Sequence, residues 1–240
     1  MNNKPSLIHC TLFSFLFMVF AAVVNAYAQT TIFNIPTADT LSRGSWSLEG
    51  DFITKPVSYA DGGYQTYGYR VAYGINNKTE VGSNFYYTWD GSDSVGQVEF
   101  SLKRRLYKSE KLGISISAGA VAFVPIKSAT GDSTSVMVYG AASKSIEPLN
   151  GLTVTGGAYH VFGGASDFGT RTGALVGIVQ PITKRVSFVA DWFSGKNRLG
   201  YSSAGVNLNI TNKQYLLTGY SFGNSGRGNN AFAAYYGYTF

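Results

Sequence analysis

The sequence predicts an all-β fold: a closed, antiparallel, up-and-down transmembrane β-barrel of about twelve strands, entered after a cleaved export segment. Three observations predict it. The chain divides into strips of about 8 to 12 residues in which apolar and polar side chains alternate, separated by turn chemistry, the signature of strands with one face to lipid and one to a lumen. No run after the first thirty residues approaches the roughly 20 apolar residues that a spanning helix needs. The composition, 29 Gly, 17 Tyr and 16 Phe with mean hydropathy near zero, is odd for a soluble core but natural for a barrel with alternating faces.

Residues 1–28 read as a signal peptide. Lys4 precedes an apolar run from Leu12 to Val24, and the small-x-small triplet Ala26-Tyr27-Ala28 follows, so Ala26 and Ala28 mark the cleavage point. The run is too short to span a bilayer as a helix. Cys10, the one cysteine, lies before the run, which leaves the mature chain without a thiol and excludes disulfides and cysteine-metal sites. Residues 29–43 follow as a lead-in. Asn34-Ile35-Pro36-Thr37-Ala38 is a proline-bent stretch expected to cap one mouth of the barrel or to tuck into its lumen as a plug.

The barrel occupies 44–240. Its first strip, Ser45–Phe52, sets Trp46, Leu48 and Phe52 against Ser47, Glu49 and Asp51; the second, Tyr64–Tyr73, sets Tyr67, Tyr69, Val71 and Tyr73 against Thr66, Gly68, Arg70 and Ala72. Glu80–Thr88, Val95–Leu106 and Leu112–Val124 follow, the fourth opposing Val98, Phe100 and Leu102 to Gln97, Glu99, Ser101 and Lys103. Thr134–Ile146, Leu152–Phe162 and Thr172–Gln180 are rich in Gly, Ala, Val and Thr, so the pattern fixes their existence and leaves their orientation open. Val186–Phe193, Ser202–Ile210, Tyr215–Phe222 and Asn230–Phe240 complete the set. An even count is what a closed antiparallel barrel requires, since lipid leaves no partner for an open edge. The connectors between even and odd strips are compact (Gly74–Thr79, Tyr107–Lys111, Glu147–Gly151, Pro181–Lys184, Thr211–Lys213). The others (Thr54–Gly63, Asp90–Ser94, Ile126–Ser133, Gly163–Arg171, Ser194–Gly200, Gly223–Asn229) are generally longer, and none is long enough to predict a folded constriction.

Residues 44–240 resemble the bacterial outer-membrane β-barrel class, in its mid-sized, porin-like members of about twelve strands; a general porin of 16 to 18 strands is excluded by length. The resemblance implies integral residence in the bacterial outer membrane among lipid and lipopolysaccharide. The last strip places Phe232, Tyr236, Tyr238 and Phe240 on one face and ends on an aromatic residue, which resembles the signal read by the barrel-assembly machinery. The Asn34–Ala38 stretch also looks like the entry segment of a set of barrels, some of them associated with polysaccharide export.

The fold hosts pores, enzymes and inert anchors, so function must come from sites. No catalytic constellation is found. His160 is the one histidine after the signal segment, and Phe162 stands where a membrane phospholipase resembling a serine hydrolase carries Ser; its nearest carboxylate in sequence, Asp167, is seven positions away. Asp90, Asp93, Asp132 and Asp167 lie in Gly/Ser loops without calcium-loop spacing, so neither a metal nor any cofactor is expected. The net charge of +6 is not gathered into a long block, and Lys103-Arg104-Arg105 with Lys108 and Lys111 reads as one strand end and its turn, so no nucleic-acid partner is expected.

The remaining handle is the inward face. Parity assigns Glu49, Asp51, Arg70, Glu80, Glu99, Lys103, Arg105 and Asp191 to the lumen, where ionisable groups at membrane depth must meet water or a partner. The leading expectation is a non-enzymatic channel for passive diffusion of small hydrophilic solutes, with selectivity set by bore and by these charges. Its alternative is a structural or accessory barrel, serving envelope integrity, surface recognition or polysaccharide export, whose lumen is filled by its own side chains or by the lead-in; a membrane-embedded hydrolase comes third.

Overall fold

Each alternating strip has one face too apolar for water and a backbone edge that lipid cannot satisfy, and the structure resolves both demands by closing one sheet on itself. The computed structural model describes residues 30–127, 133–226 and 229–240. The expected signal segment 1–28 with Ala26 and Ala28, residue 29 and Asp132 lie outside them.

Twelve antiparallel strands form the ring: β1 (Trp46–Lys55), β2 (Tyr64–Asn76), β3 (Thr79–Trp89), β4 (Ser94–Ser109), β5 (Ile114–Lys127), β6 (Ser135–Ile146), β7 (Leu152–Gly163), β8 (Thr172–Pro181), β9 (Val186–Phe193), β10 (Tyr201–Asn209), β11 (Gln214–Gly223) and β12 (Ala231–Thr239). Each pairs with its sequence neighbours, and β1 pairs with β12 from Ser47↔Thr239 to Thr54↔Phe232, so no edge remains. The sequence strips fall on these strands to within a few residues. Where parity was clear it holds: Trp46, Leu48, Tyr67, Tyr69, Phe100 and Leu102 are exposed on the outer face, while Glu49, Asp51 and Lys103 are buried within. The Gly/Ala-rich middle resolves too, for β6 sends Ser135, Met137, Tyr139, Ala141 and Ser143 inward and Val136 and Val138 outward.

Short connectors (77–78, 110–113, 147–151, 182–185, 210–213) lie at the end that carries both strand termini, and most longer ones lie at the other. Outer-membrane barrels keep short turns in the periplasm, so the terminal end is the periplasmic one.

Two features interrupt the simple cylinder. Before β1, residues 30–41 run inside the barrel: Ile32, Phe33, Ile35, Ala38 and Leu41 are all buried, and Thr31 and Pro36 form an isolated antiparallel bridge that folds the segment into a hairpin. At the other end, the β9–β10 connector turns inward, burying Ser194 and Asn197. The sequence expectation that no outer connector forms a constriction is corrected by this loop. Length alone was a poor guide, because a short connector pinned by hydrogen bonds reaches inward as well as a long one.

Candidate functional site

The lumen is built from inward side chains of every strand, and the hairpin divides it. Asp191 of β9 holds the hairpin tip: its Oδ2 accepts the backbone N–H groups of Phe33 (2.9 Å), Asn34 (2.6 Å) and Ile35 (3.0 Å). Three converging N–H donors form a cradle suited to a carboxylate, so this buried acid finds its partners without any Lys or Arg. Asn34 donates further to Ser203 Oγ on β10 (2.7 Å), and the Ala38 N–H to Ser143 Oγ on β6 (3.1 Å).

Apolar contacts seat the same hairpin. A Cβ on Gly177 would fall 2.5 Å from Ile32 Cδ1 and 2.8 Å from Ile35 Cδ1; one on Gly219 would fall 2.6 Å from the Phe33 ring. These inward glycines are the space the hairpin fills. Phe33 also meets Tyr235 of β12 edge-on at 6.0 Å between centroids. The base of the segment is tied to the opposite wall, where the Leu41 N–H donates to Glu80 Oε2 (2.8 Å) and Lys103 Nζ to the Thr30 carbonyl (3.0 Å).

A cavity remains beside the hairpin. It has a volume of about 310 Å³, is open to solvent, and extends from the periplasmic connector Thr211–Gln214 to Arg198 and Tyr201 at the outer end. Glu49, Arg70, Glu80, Asn84, Glu99 and Lys103 border it. Four of these charges are matched in pairs, Arg70 with Glu49 at 2.6 Å and Lys103 with Glu80 at 3.4 Å. Glu49 also accepts from the Tyr215 hydroxyl, and Glu99 accepts from Asn84 (2.8 Å) and Gln97 (2.7 Å). Buried groups satisfied in this way hold fixed rotamers, so they make a defined wall.

Three of the eight parity-assigned residues do not border this cavity. Asp51 faces inward behind Tyr86, whose hydroxyl donates to it at 2.9 Å. Asp191 is covered by the hairpin. Arg105 keeps the inward parity but sits at the periplasmic rim, one residue beyond the last β3–β4 pair Thr79↔Arg104, where its guanidinium donates to the Asn77 carbonyl at 2.5 Å.

His160 is on the outer face of β7, its ring edge-on to Phe162 at 4.5 Å and its Nδ1 2.6 Å from Thr172 Oγ1. Among the described residues, no group of three or more His, Cys, Asp or Glu side chains is placed to hold a metal. Phe232, Tyr236 and Phe240 are exposed on the outer face, and Tyr238 stacks against Phe240 with centroids 5.6 Å apart.

No protein-family model matches the chain, and no curated protein does. Among solved structures it is similar to the KdgM porin in complex with disordered oligogalacturonate, at 10% identity and a TM-score of 0.58, covering 82% of this chain and 99% of that one. It is also similar to the KdgM porin alone (11% identity, TM-score 0.57, 81% and 99% covered). The Acinetobacter baumannii outer membrane protein Omp33 shares 12% identity with a TM-score of 0.51, with 82% of this chain and 98% of that chain covered. At these identities the shared property is the fold, that of bacterial outer-membrane β-barrels.

Proposed function

We propose that the protein is a non-enzymatic channel of the bacterial outer membrane that passes small hydrophilic solutes by diffusion along the β1–β5 side of its lumen. The observation that carries this reading is the cavity left beside the hairpin, a mixed wall of apolar and charged side chains that reaches from the periplasmic connector to Arg198 at the outer end. The KdgM porin holds oligogalacturonate, a polyanion. Here Arg70 and Lys103 are already matched by Glu49 and Glu80, so the wall favours small neutral or zwitterionic solutes over a long acidic chain. Lipid and lipopolysaccharide cover the apolar exterior, and the outward strip Phe232, Tyr236, Tyr238 and Phe240 serves as the address for the barrel-assembly machinery.

A second reading has one observation in its favour. The hairpin is buried and held at several points, so the barrel is a structural or accessory element with a largely filled lumen if the remaining path proves too narrow. Purified, folded protein in planar bilayers separates the two: stepwise current supports the channel, and its absence at every voltage leaves the filled barrel.

A further inference from the structure

The β9–β10 connector is held inward by a set of polar contacts that leave it little freedom. Asn197 Nδ2 donates to the Thr170 carbonyl (2.5 Å) and the Tyr159 hydroxyl (3.0 Å), and that hydroxyl donates to the Ser194 carbonyl (2.6 Å). Asn224 Nδ2 ties the Phe193 and Gly195 carbonyls at 2.8 and 2.9 Å. The fixed loop aims Arg198 across the mouth. Its guanidinium lies over the Phe123 ring at 5.0 Å and the Phe168 ring at 5.8 Å, and it donates to Gln97 on β4 and to Ser135 Oγ on β6 (3.3 Å). Two cavities meet at this side chain: the lumen below, and an outer vestibule bordered by Gln97, Ser135, Asp167, Phe168 and Lys196.

From this geometry we infer that Arg198 is the specificity-determining bar of the outer mouth, admitting solutes by size and favouring those with an anionic or strongly hydrogen-bond-accepting group. The inference rests on the channel reading and adds to it the point where selection occurs. A planar guanidinium stacked on aromatic rings keeps its charge at one height in the pore, which a flexible ammonium does not. Below the mouth Arg70 and Lys103 are matched by Glu49 and Glu80, and Glu99, held by Asn84 and Gln97, faces the bar from the lumen side, so the charge that a solute meets first from outside is that of Arg198 with Lys196 and Asp167 beside it. A solute with a carboxylate or phosphate edge exchanges its water for the guanidinium there and continues past Glu99.

The test is thiol labelling from outside. In a full chain carrying Cys10→Ser and Ser101→Cys, the probes are an anionic and a cationic methanethiosulfonate of matched size, added to intact cells. Ser101 borders the lumen cavity on β4, deeper than Gln97. Arg198→Ala is expected to accelerate labelling overall and to lower the anionic-to-cationic rate ratio roughly tenfold, as removal of one unit charge from a site of intermediate dielectric requires. Arg198→Lys is expected to keep most of the ratio while widening the mouth. Rates and ratio unchanged in Arg198→Ala overturn the inference, as does a ratio that collapses equally in Arg198→Lys. Arg171→Ala, which loses the other cation over the Phe168 ring at 5.4 Å, serves as the control for loop damage. Because labelling needs no current through the barrel, a silent bilayer with an Arg198-dependent ratio sinks the channel and keeps the bar; current with an indifferent Arg198 does the reverse.

Discussion

Replacing Asp191 by Ala removes the one acceptor shared by the backbone N–H groups of Phe33, Asn34 and Ile35. Hydrogen bonds to a charged partner contribute about 1.5–3 kcal/mol each, and the lower end applies here because the freed donors regain water in a wet lumen; three give roughly 4–5 kcal/mol. At about 1.4 kcal/mol per decade, that shifts the balance between seated and released hairpin by about a thousandfold. The Phe33–Tyr235 contact and the Ile32 and Ile35 seats remain, so the hairpin is loosened and not ejected. In single-channel recordings the variant should show larger and noisier unitary currents than the native protein, with unchanged heat-modifiability of the barrel. Gly177→Val reaches the same state from the apolar side, since its side chain would occupy the space of Ile32 and Ile35 next to Asp191 while leaving the carboxylate in place. If both variants fold and both conduct as the native protein does, the hairpin does not limit the path and this reasoning fails.

Two further outcomes are expected. Glu80→Ala strands Lys103, which is buried, and removes the acceptor of the Leu41 N–H; breaking a buried pair on one side costs about 3–5 kcal/mol, so the denaturant midpoint should fall sharply, while Glu80→Ala with Lys103→Met should recover much of the loss. Deleting Phe240 takes an exposed aromatic from the assembly strip and should slow insertion into the outer membrane, read as accumulation of the unfolded band; normal insertion would remove that role.

The outer and inner faces of most strands were legible because Trp46, Leu48 and Phe52 alternate with charged residues, and lipid and water sort such a strip unambiguously. In β6 and β8 the contrast was missing, since Ala and Gly suit either side. The hairpin left a signal that short-range patterning does not weigh. Asp191 is an inward acid with no basic neighbour across β8 or β10, where Gly177 and Ser203 face it, and it therefore needed donors from elsewhere. The lead-in, with Ile32, Phe33 and Ile35 in an otherwise polar stretch, was the segment able to supply them. Arg198 left no such trace: its role depends on Phe123, Gln97 and Ser135, residues 63 or more positions away in the chain.

The tie between Phe33 and Asp191 spans 158 residues, and closing a loop of that length costs about 4–5 kcal/mol of chain entropy before any contact compensates it. The barrel seam bears a similar cost, for Trp46 and Phe240 exchange two backbone hydrogen bonds across the whole length of the barrel sequence. Only the turn at Ser42–Ser45 separates the hairpin from β1, so the motion that brings Trp46 to Phe240 also carries Phe33 toward Tyr235. One entropic cost therefore serves two closures. A hairpin so close in sequence to the seam adds little chain entropy of its own to the cost of closing the ring, and the finished barrel is an occupied one.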